Sequence, residues 1–309
     1  MPEPANQQPS YTPNQRAWKR FWRNRPARGS AVFIAVLILL VCAWPLVAWH
    51  DPDKISDAQF QSPSLQHWFG TDVHGRDVFS RVLYGAQISL LVGIVGAGVS
   101  LVIGVLWGAI AGYAGGRTDS SMMRFVDILY SLPSIIFVIV LITTLEGLFR
   151  SWLEEIGSPG FAKASRLLFL FIGLGAVSWL NMARIVRGQV LSLRSRQFVD
   201  ASRVLGAGTL HILARHIIPN VLGVVIVYLT LTIPAIILYE SFLSYLGLGI
   251  QPPMASWGSL IAEGAEQINP IRTYWWLIVF PGGVLVTTLL ALNFLGDGLR
   301  DAWDVRGQT

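Results

Sequence analysis

Polar groups stranded in apolar runs are the places where chemistry would sit in this sequence, and they are few. Glu240, flanked by Tyr239 and Ser241, lies late in the apolar stretch Val221 to Leu246; Asn181 lies with Arg184 and Arg187 in the pattern that begins at Leu167. A polar side chain in hydrocarbon needs protein, a polar partner or water to face. Glu240 is therefore a pore-facing or gate residue near the outer mouth of a bundle, or a buried hydrogen bond that fixes helix packing. Both readings stand on the sequence alone. Asn181 turns its helix towards a bundle interior or a pore.

Neither residue belongs to a catalytic constellation. The sequence shows no paired carboxylates within apolar runs, no His-Glu-x-x-His zinc motif and no Ser or Cys with activating neighbours. The phosphate-binding pattern Gly-x-x-x-x-Gly-Lys-Ser/Thr is also missing, so the chain holds no ATP by that route. No enzyme activity and no cofactor are expected of it. Cys42 is the only cysteine, which excludes an internal disulfide and a thiolate metal cluster.

What remains is docking chemistry. From Phe198 to Asn220 the sequence reads Phe-Val-Asp-Ala-Ser-Arg-Val-Leu-Gly-Ala-Gly-Thr-Leu-His-Ile-Leu-Ala-Arg-His-Ile-Ile-Pro-Asn. Phe198, Ala201, Ser202 and Leu205 recur at the spacing of one helix face, and Leu210, Leu213, Ala214 and Ile217 repeat it. Gly206 and Gly208 permit a turn between two short helices, and Pro219 suits the first turn of the next one. The spacing predicts a compact helix-turn-helix projecting from a membrane. The plainer alternative is an amphipathic loop resting on lipid headgroups.

The elements that must position these residues follow from composition. The 309 residues are 53% hydrophobic and 13% charged, with a mean hydropathy of +0.53, far from the soluble average. Apolar runs of roughly 20 residues are long enough to cross about 30 Å of hydrocarbon. Six transmembrane helices are predicted: Ala31 to Trp49, Ile88 to Tyr113, Leu129 to Leu148, Leu167 to Val190, Val221 to Leu246 and Tyr274 to Leu295.

The net charge of +5 clusters in particular loops instead of forming one stripe, so it speaks for orientation in a bilayer and not for nucleic acid. Lys and Arg number 6 before the first span, 2 between the second and third, 6 from Arg184 to Arg215 and 2 at the C-terminus. The longer loops of the other side hold the remaining 7 of 23. Both termini are expected in the cytoplasm. The layout is then a 1–30 cytoplasmic tail whose basic residues interleave with Trp18, Phe21 and Trp22 on the membrane surface. A retained first span at 31–49, an external loop at 50–85, a five-helix domain at 86–297 holding loop 197–220, and a 298–309 cytoplasmic tail follow.

Smaller features fill this frame. Gly104, Gly108, Gly112 and Gly116 fall on one face of the second helix, as a seam for close helix approach. Pro234 removes a backbone donor from the fifth helix and suits a kink. Phe69 to Asp77 reads as a structural turn that caps the second helix, with contact to an external protein as the alternative. Gln251-Pro-Pro253 and Trp257-Gly258 suggest an interfacial re-entrant or surface segment with Trp257 at headgroup level.

The 198–220 segment resembles the coupling loop of binding-protein-dependent ABC importer permeases, in which a Glu-Ala-Ala triplet is followed by Gly. Here the triplet is Asp200-Ala201-Ser202 and the Gly is Gly206. Phe69-Gly-Thr-Asp-Val-His-Gly-Arg-Asp77, Ser80 to Gly85, Val177 to Gly188, Glu240 to Gly249 and Gly296-Asp-Gly-Leu-Arg-Asp301 extend the likeness to the C-type permease subunits of oligopeptide and dipeptide importers. The stretches around Trp179 and Glu240 look closer to the oligopeptide members. That resemblance implies an all-α, type I ABC importer permease fold with a cytoplasmic coupling helix, in a bacterial inner membrane. It further implies a B-type permease partner, two cytoplasmic ATPases that use the ATP, an external peptide-binding protein and a peptide substrate. Asp200, Ala201, Ser202 and Gly206 would dock the ATPase, with Arg203, Arg215 and His216 as polar edges or as solvated headgroup contacts, and Pro219 closing the loop. Dipeptide, nickel or antimicrobial-peptide import, or an ion-coupled carrier, are the competing functions; a carrier would show internal repeats and midplane charges, and neither is evident.

Overall fold

The computed structural model describes residues 13–156, 162–252 and 254–303. Its named elements are all helices, and among the described residues the one strand-like pairing is an isolated bridge between Thr71 and Asp77. Among the described residues, five helices are long and apolar enough to cross a membrane, or six if one sharply bent pair is a single broken span.

The chain begins with α1 (Pro13–Arg23) and α2 (Arg25–Cys42), separated by Asn24, whose side chain accepts a hydrogen bond from the Ala27 N–H at 3.3 Å. Ala17, Phe21 and Ala27 bury themselves against Ala302, near the end of α12 (Trp276–Trp303). Gly298 allows this contact, because a Cβ there would collide with Ala27. Trp18 and Trp22 stay exposed. The first span is therefore centred earlier than the expected Ala31 to Trp49; α2 stops at Cys42 and a short α3 (Trp44–Val47) follows. Helix α12 likewise runs into what was expected to be a C-terminal tail, whose residues 304–309 lie outside the described residues.

Helix α4 (Val78–Ala114) starts well before Ile88, because Asp77 caps it by accepting from the Ser80 N–H at 2.8 Å. It packs along α7 (Ala162–Leu193) through its small residues. A Cβ on Gly104, Gly108 or Gly112 would come closer than 3.0 Å to Met182, Ala183 or Arg187 and Val190 respectively. Gly116 does not continue this face: Gly115 (φ 65°) and Gly116 (φ 54°) end the helix, and Gly116 faces open space at the start of α5 (Gly116–Ser131).

The third span also departs from expectation. The apolar run Leu129 to Leu148 is not one helix; α5 ends at Leu132 (φ −80°, ψ 140°) and α6 (Ser134–Ile156) leaves at 93°. Pro133 is the cause, since the residue before proline is pushed out of helical geometry. Helix α5 is amphipathic and too short to span alone.

Helix α10 (Ile218–Tyr245) runs unbroken through the buried Pro234 and packs between α4 and α12. The segment after it, expected to be re-entrant or on the surface, folds back against α4, α10 and α12 as α11 (Trp257–Glu266), whose start is fixed by a Ser256–Ser259 capping box. Trp257 is fully buried within the chain, its indole N–H donating to the Val82 carbonyl at 3.2 Å. Pro253 lies outside the described residues.

Candidate coupling site

The loop between α7 and α10 opens with α8 (Gln197–Val204), which carries Asp200, Ala201, Ser202 and Arg203. It ends in a paired-hydrogen-bond turn that only a residue tolerant of positive φ completes easily. Gly206, at φ 82°, donates to the Arg203 carbonyl (2.9 Å), and Ala207 donates to the Ser202 carbonyl (3.0 Å). Gly208 then adopts an extended conformation before α9 (Thr209–Ile212).

The second leg is not a free-standing helix. A five-residue π turn, Leu213–Ile217, carries α9 directly into α10, with the Ile218 N–H reaching the Leu213 carbonyl. Pro219 follows at once; lacking an N–H, it cannot donate to Arg215, and the widened turn absorbs that loss. The tip is thus joined to the span by continuous helix.

The buried and exposed faces also differ from the periodic reading. Val199, Ile212 and Ile217 are at most 1% exposed and pack on Val105 and Ala109 of α4, Met182, Val186 and Val190 of α7, and Val221 and Val225 of α10. Leu205 and Leu210, assigned by spacing to apolar faces, are 86% and 80% exposed, and Val204 is 88% exposed. The loop stands on one apolar foot and holds a second apolar surface outward around Gly206.

Charges brace this base. Arg203 donates to Asp200 at 3.1 Å and lies over the Tyr113 ring of α4; both Asp200 and Arg203 remain exposed. Ser202 Oγ donates to its own helix at the Phe198 carbonyl. Arg215 is exposed, and His216 is half-buried beside the rings of Phe198 and His211. Arg194 donates to the Gly112 carbonyl at 3.2 Å, capping the end of α4. Arg187 grips Asp119 of α5 with two bonds of 2.6 Å, and Arg184 meets Asp127 at 2.7 Å.

The other polar candidates separate. Glu240 is fully enclosed within this chain: Ser244 Oγ donates to it at 2.6 Å and Ser89 Oγ at 3.2 Å, while the Trp257 N–H donates to that same Ser89 hydroxyl. This geometry joins α4, α10 and α11 and leaves Glu240 no free face. Asn181, by contrast, is exposed on α7.

One polar cluster was not anticipated from sequence. Arg81, 3% exposed within α4, bonds Asp72 at 2.8 Å and Glu263 of α11 at 2.6 and 3.0 Å, while Arg76 bonds the same two carboxylates at 2.7 and 3.1 Å. This clasp ties the 51–77 loop to two helices. A basic residue within the first turn of α4 was its one local signal, since Glu263 lies 182 residues away.

Comparison with known proteins places this geometry. Residues 104–306 match the family model described as the binding-protein-dependent transport system inner membrane component, and residues 12–65 match the N-terminal TM domain of oligopeptide transport permease C. The chain is 45% identical over 296 residues to the oligopeptide transport system permease protein OppC of Haemophilus influenzae, covering 94% of this chain and 88% of that one. It is 45% identical to OppC of Escherichia coli, covering 94% and 90%. The dipeptide transport system permease protein DppC of Bacillus subtilis is 41% identical, covering 96% and 87%. Among solved structures, an inward-facing MetNI methionine ABC transporter chain shares the fold, with a TM-score of 0.53, 18% identity, and coverage of 71% of this chain and 94% of that one. With its loop, its seam and its bundle all in place, the chain belongs to the family of binding-protein-dependent transport system inner membrane components.

Proposed function

We propose that this chain is one of two pore-forming subunits of an ATP-driven importer of short peptides, oligopeptides first among them, and that the α7–α10 loop couples it to an ATPase. The observation that carries the reading is the exposed apolar surface of Val204, Leu205 and Leu210 around Gly206. Such a surface on a rigid base is suited to fill a groove on a second protein and to pass its closure to α10 as a rigid-body motion. The names of the relatives support peptide as the substrate class.

In this reading a B-type permease completes the pore, two cytoplasmic ATPases bind the ATP, and an external binding protein delivers the peptide. The chain itself contributes no catalysis and holds no cofactor. The basic loops set the α7–α10 loop and both termini on the cytoplasmic side of a bacterial inner membrane. Asp200, Ala201, Ser202 and Gly206 form the docking face, with Arg203, Arg215 and His216 along its edges.

The test is co-purification of the tagged chain with its ATPases, and peptide uptake into vesicles, for wild type and Gly206→Asp. No neighbouring atom lies within 4 Å of a Cβ at Gly206, so the carboxylate meets no clash; the φ of 82° strains the exposed turn locally, and membrane insertion of the variant is measured alongside. Loss of both ATPase and uptake is expected. A wild-type chain that transports with no ATPase attached would overturn the reading in favour of a carrier.

A further inference from the structure

Away from the coupling loop, three side chains with metal-ligand atoms converge where the chain leaves the first span and enters α4. His50 lies just beyond α3, His67 lies in the middle of the 51–77 loop, and Asp77 is the N-cap of α4. One ligand atom from each lies within 4.8 Å of the others, and the two imidazole rings are 4.8 Å apart. Nothing in the coupling mechanism uses them.

The two carboxylate oxygens of Asp77 divide their work. Oδ2 accepts from the Ser80 N–H and Ser80 Oγ, both at 2.8 Å, and so serves the helix end. Oδ1 faces away and meets His67 Nδ1 at 2.9 Å. The carboxylate thus offsets the positive end of the α4 dipole with one oxygen and keeps the other for a partner. His50 Nε2 meets the Gln66 carbonyl at 3.2 Å and its ring lies beside that of His67, so turning it towards Asp77 exchanges one hydrogen bond for the ion. His50 and Asp77 line an open cleft walled by Trp49, Trp68 and Phe79, and His67 joins them from the adjoining turn.

We propose that His50, His67 and Asp77 bind a divalent transition cation of the zinc class, with water completing the shell, and that the ion clamps the end of the first span to the start of α4. Two imidazoles and a carboxylate are a ligand set zinc favours, at bonds of about 2.0–2.2 Å, which asks ligand atoms to approach to roughly 3.3 Å in a tetrahedron. His67 Nδ1 and Asp77 Oδ1, hydrogen-bonded at 2.9 Å, part slightly as the ion replaces the proton between them, and a rotation of the His50 side chain completes the set. Access of the ion from outside the cell rests on the orientation proposed above, whereas binding itself does not.

The experiment uses the full chain in detergent, carrying a tag without histidines, stripped with EDTA and titrated with Zn2+ by calorimetry and with Co2+ by visible absorption. One equivalent should bind, Co2+ should give the intense bands of tetrahedral coordination, and Zn2+ should raise the unfolding temperature. His50→Ala, which removes a ligand, should weaken binding at least about tenfold and cut the Zn2+-induced rise in unfolding temperature, read against the variant's own metal-free value. His67→Ala should abolish binding, and the exposed His74→Ala should not alter it. If His67→Ala fails to fold, His50→Ala decides. Failure of the wild type to bind at millimolar Zn2+, or titration of His50→Ala like the wild type, would overturn the site; either result leaves the ATPase-coupling reading untouched.

Discussion

The 51–77 loop and the α7–α10 loop are built from similar materials and come out opposite. Both mix Gly at positive φ with Asp, Arg and His. In the 51–77 loop the glycines are crowded: a Cβ on Gly70 or Gly75 would strike the backbone of Gln61 or Ser56. Its charges also close on one another in the Asp72–Arg76–Arg81–Glu263 clasp. In the α7–α10 loop Gly206 and Gly208 face open space, and the largest apolar side chains near them point outward. The charged groups of one loop are satisfied within the chain, whereas the apolar tip of the other, in the function proposed, is met by a partner. On that proposal the same residue types carry stability in one place and assembly in the other.

Substitutions sharpen that contrast. The largest effect on the chain itself is expected from Arg81→Met, which leaves Asp72 and Glu263 facing each other with Arg76 alone; removing one member of a buried ionic group costs about 3–5 kcal/mol. The measurement is the unfolding midpoint of the purified chain. Gly75→Ala should follow at more than about 2 kcal/mol, since a side chain at φ 69° is disfavoured and its Cβ has no room. Leu205→Ser, at an exposed position, should alter stability by less than about 0.5 kcal/mol while weakening ATPase capture in a pull-down. A Leu205→Ser chain that melts early, or an Arg81→Met chain that melts like the wild type, would collapse the distinction between the two loops.

Much of this was legible in sequence, and the failures have physical causes. The apolar runs located the spans because lipid demands an unbroken stretch of apolar side chains, and Gly206 marked the turn because few residues tolerate its φ. The break at Leu132 and Pro133 escaped because hydropathy is blind to backbone geometry, although the proline itself was visible. The exposed faces of Leu205 and Leu210 escaped for a different reason. Periodicity reports an apolar stripe and cannot tell an internal core from a surface awaiting another protein. Trp257 and Glu263 illustrate the limit of local reading, since each is positioned by α4, far away in sequence. Glu240 kept two readings until its neighbours Ser89 and Ser244 were seen to enclose it.

The central claim is that the tip of the α7–α10 loop is covered by an ATPase in the assembled transporter while the 51–77 loop is not. Leu205 and Leu65 are 86% and 91% exposed in this chain, and Cys42 is its sole native thiol. With Cys42→Ser as background, Leu205→Cys and Leu65→Cys should label with a maleimide at similar rates in the isolated subunit. On adding the ATPases and the partner permease, the Leu205→Cys thiol should become protected and the Leu65→Cys thiol should stay reactive. Undiminished labelling of Leu205→Cys in the assembled complex would contradict the account.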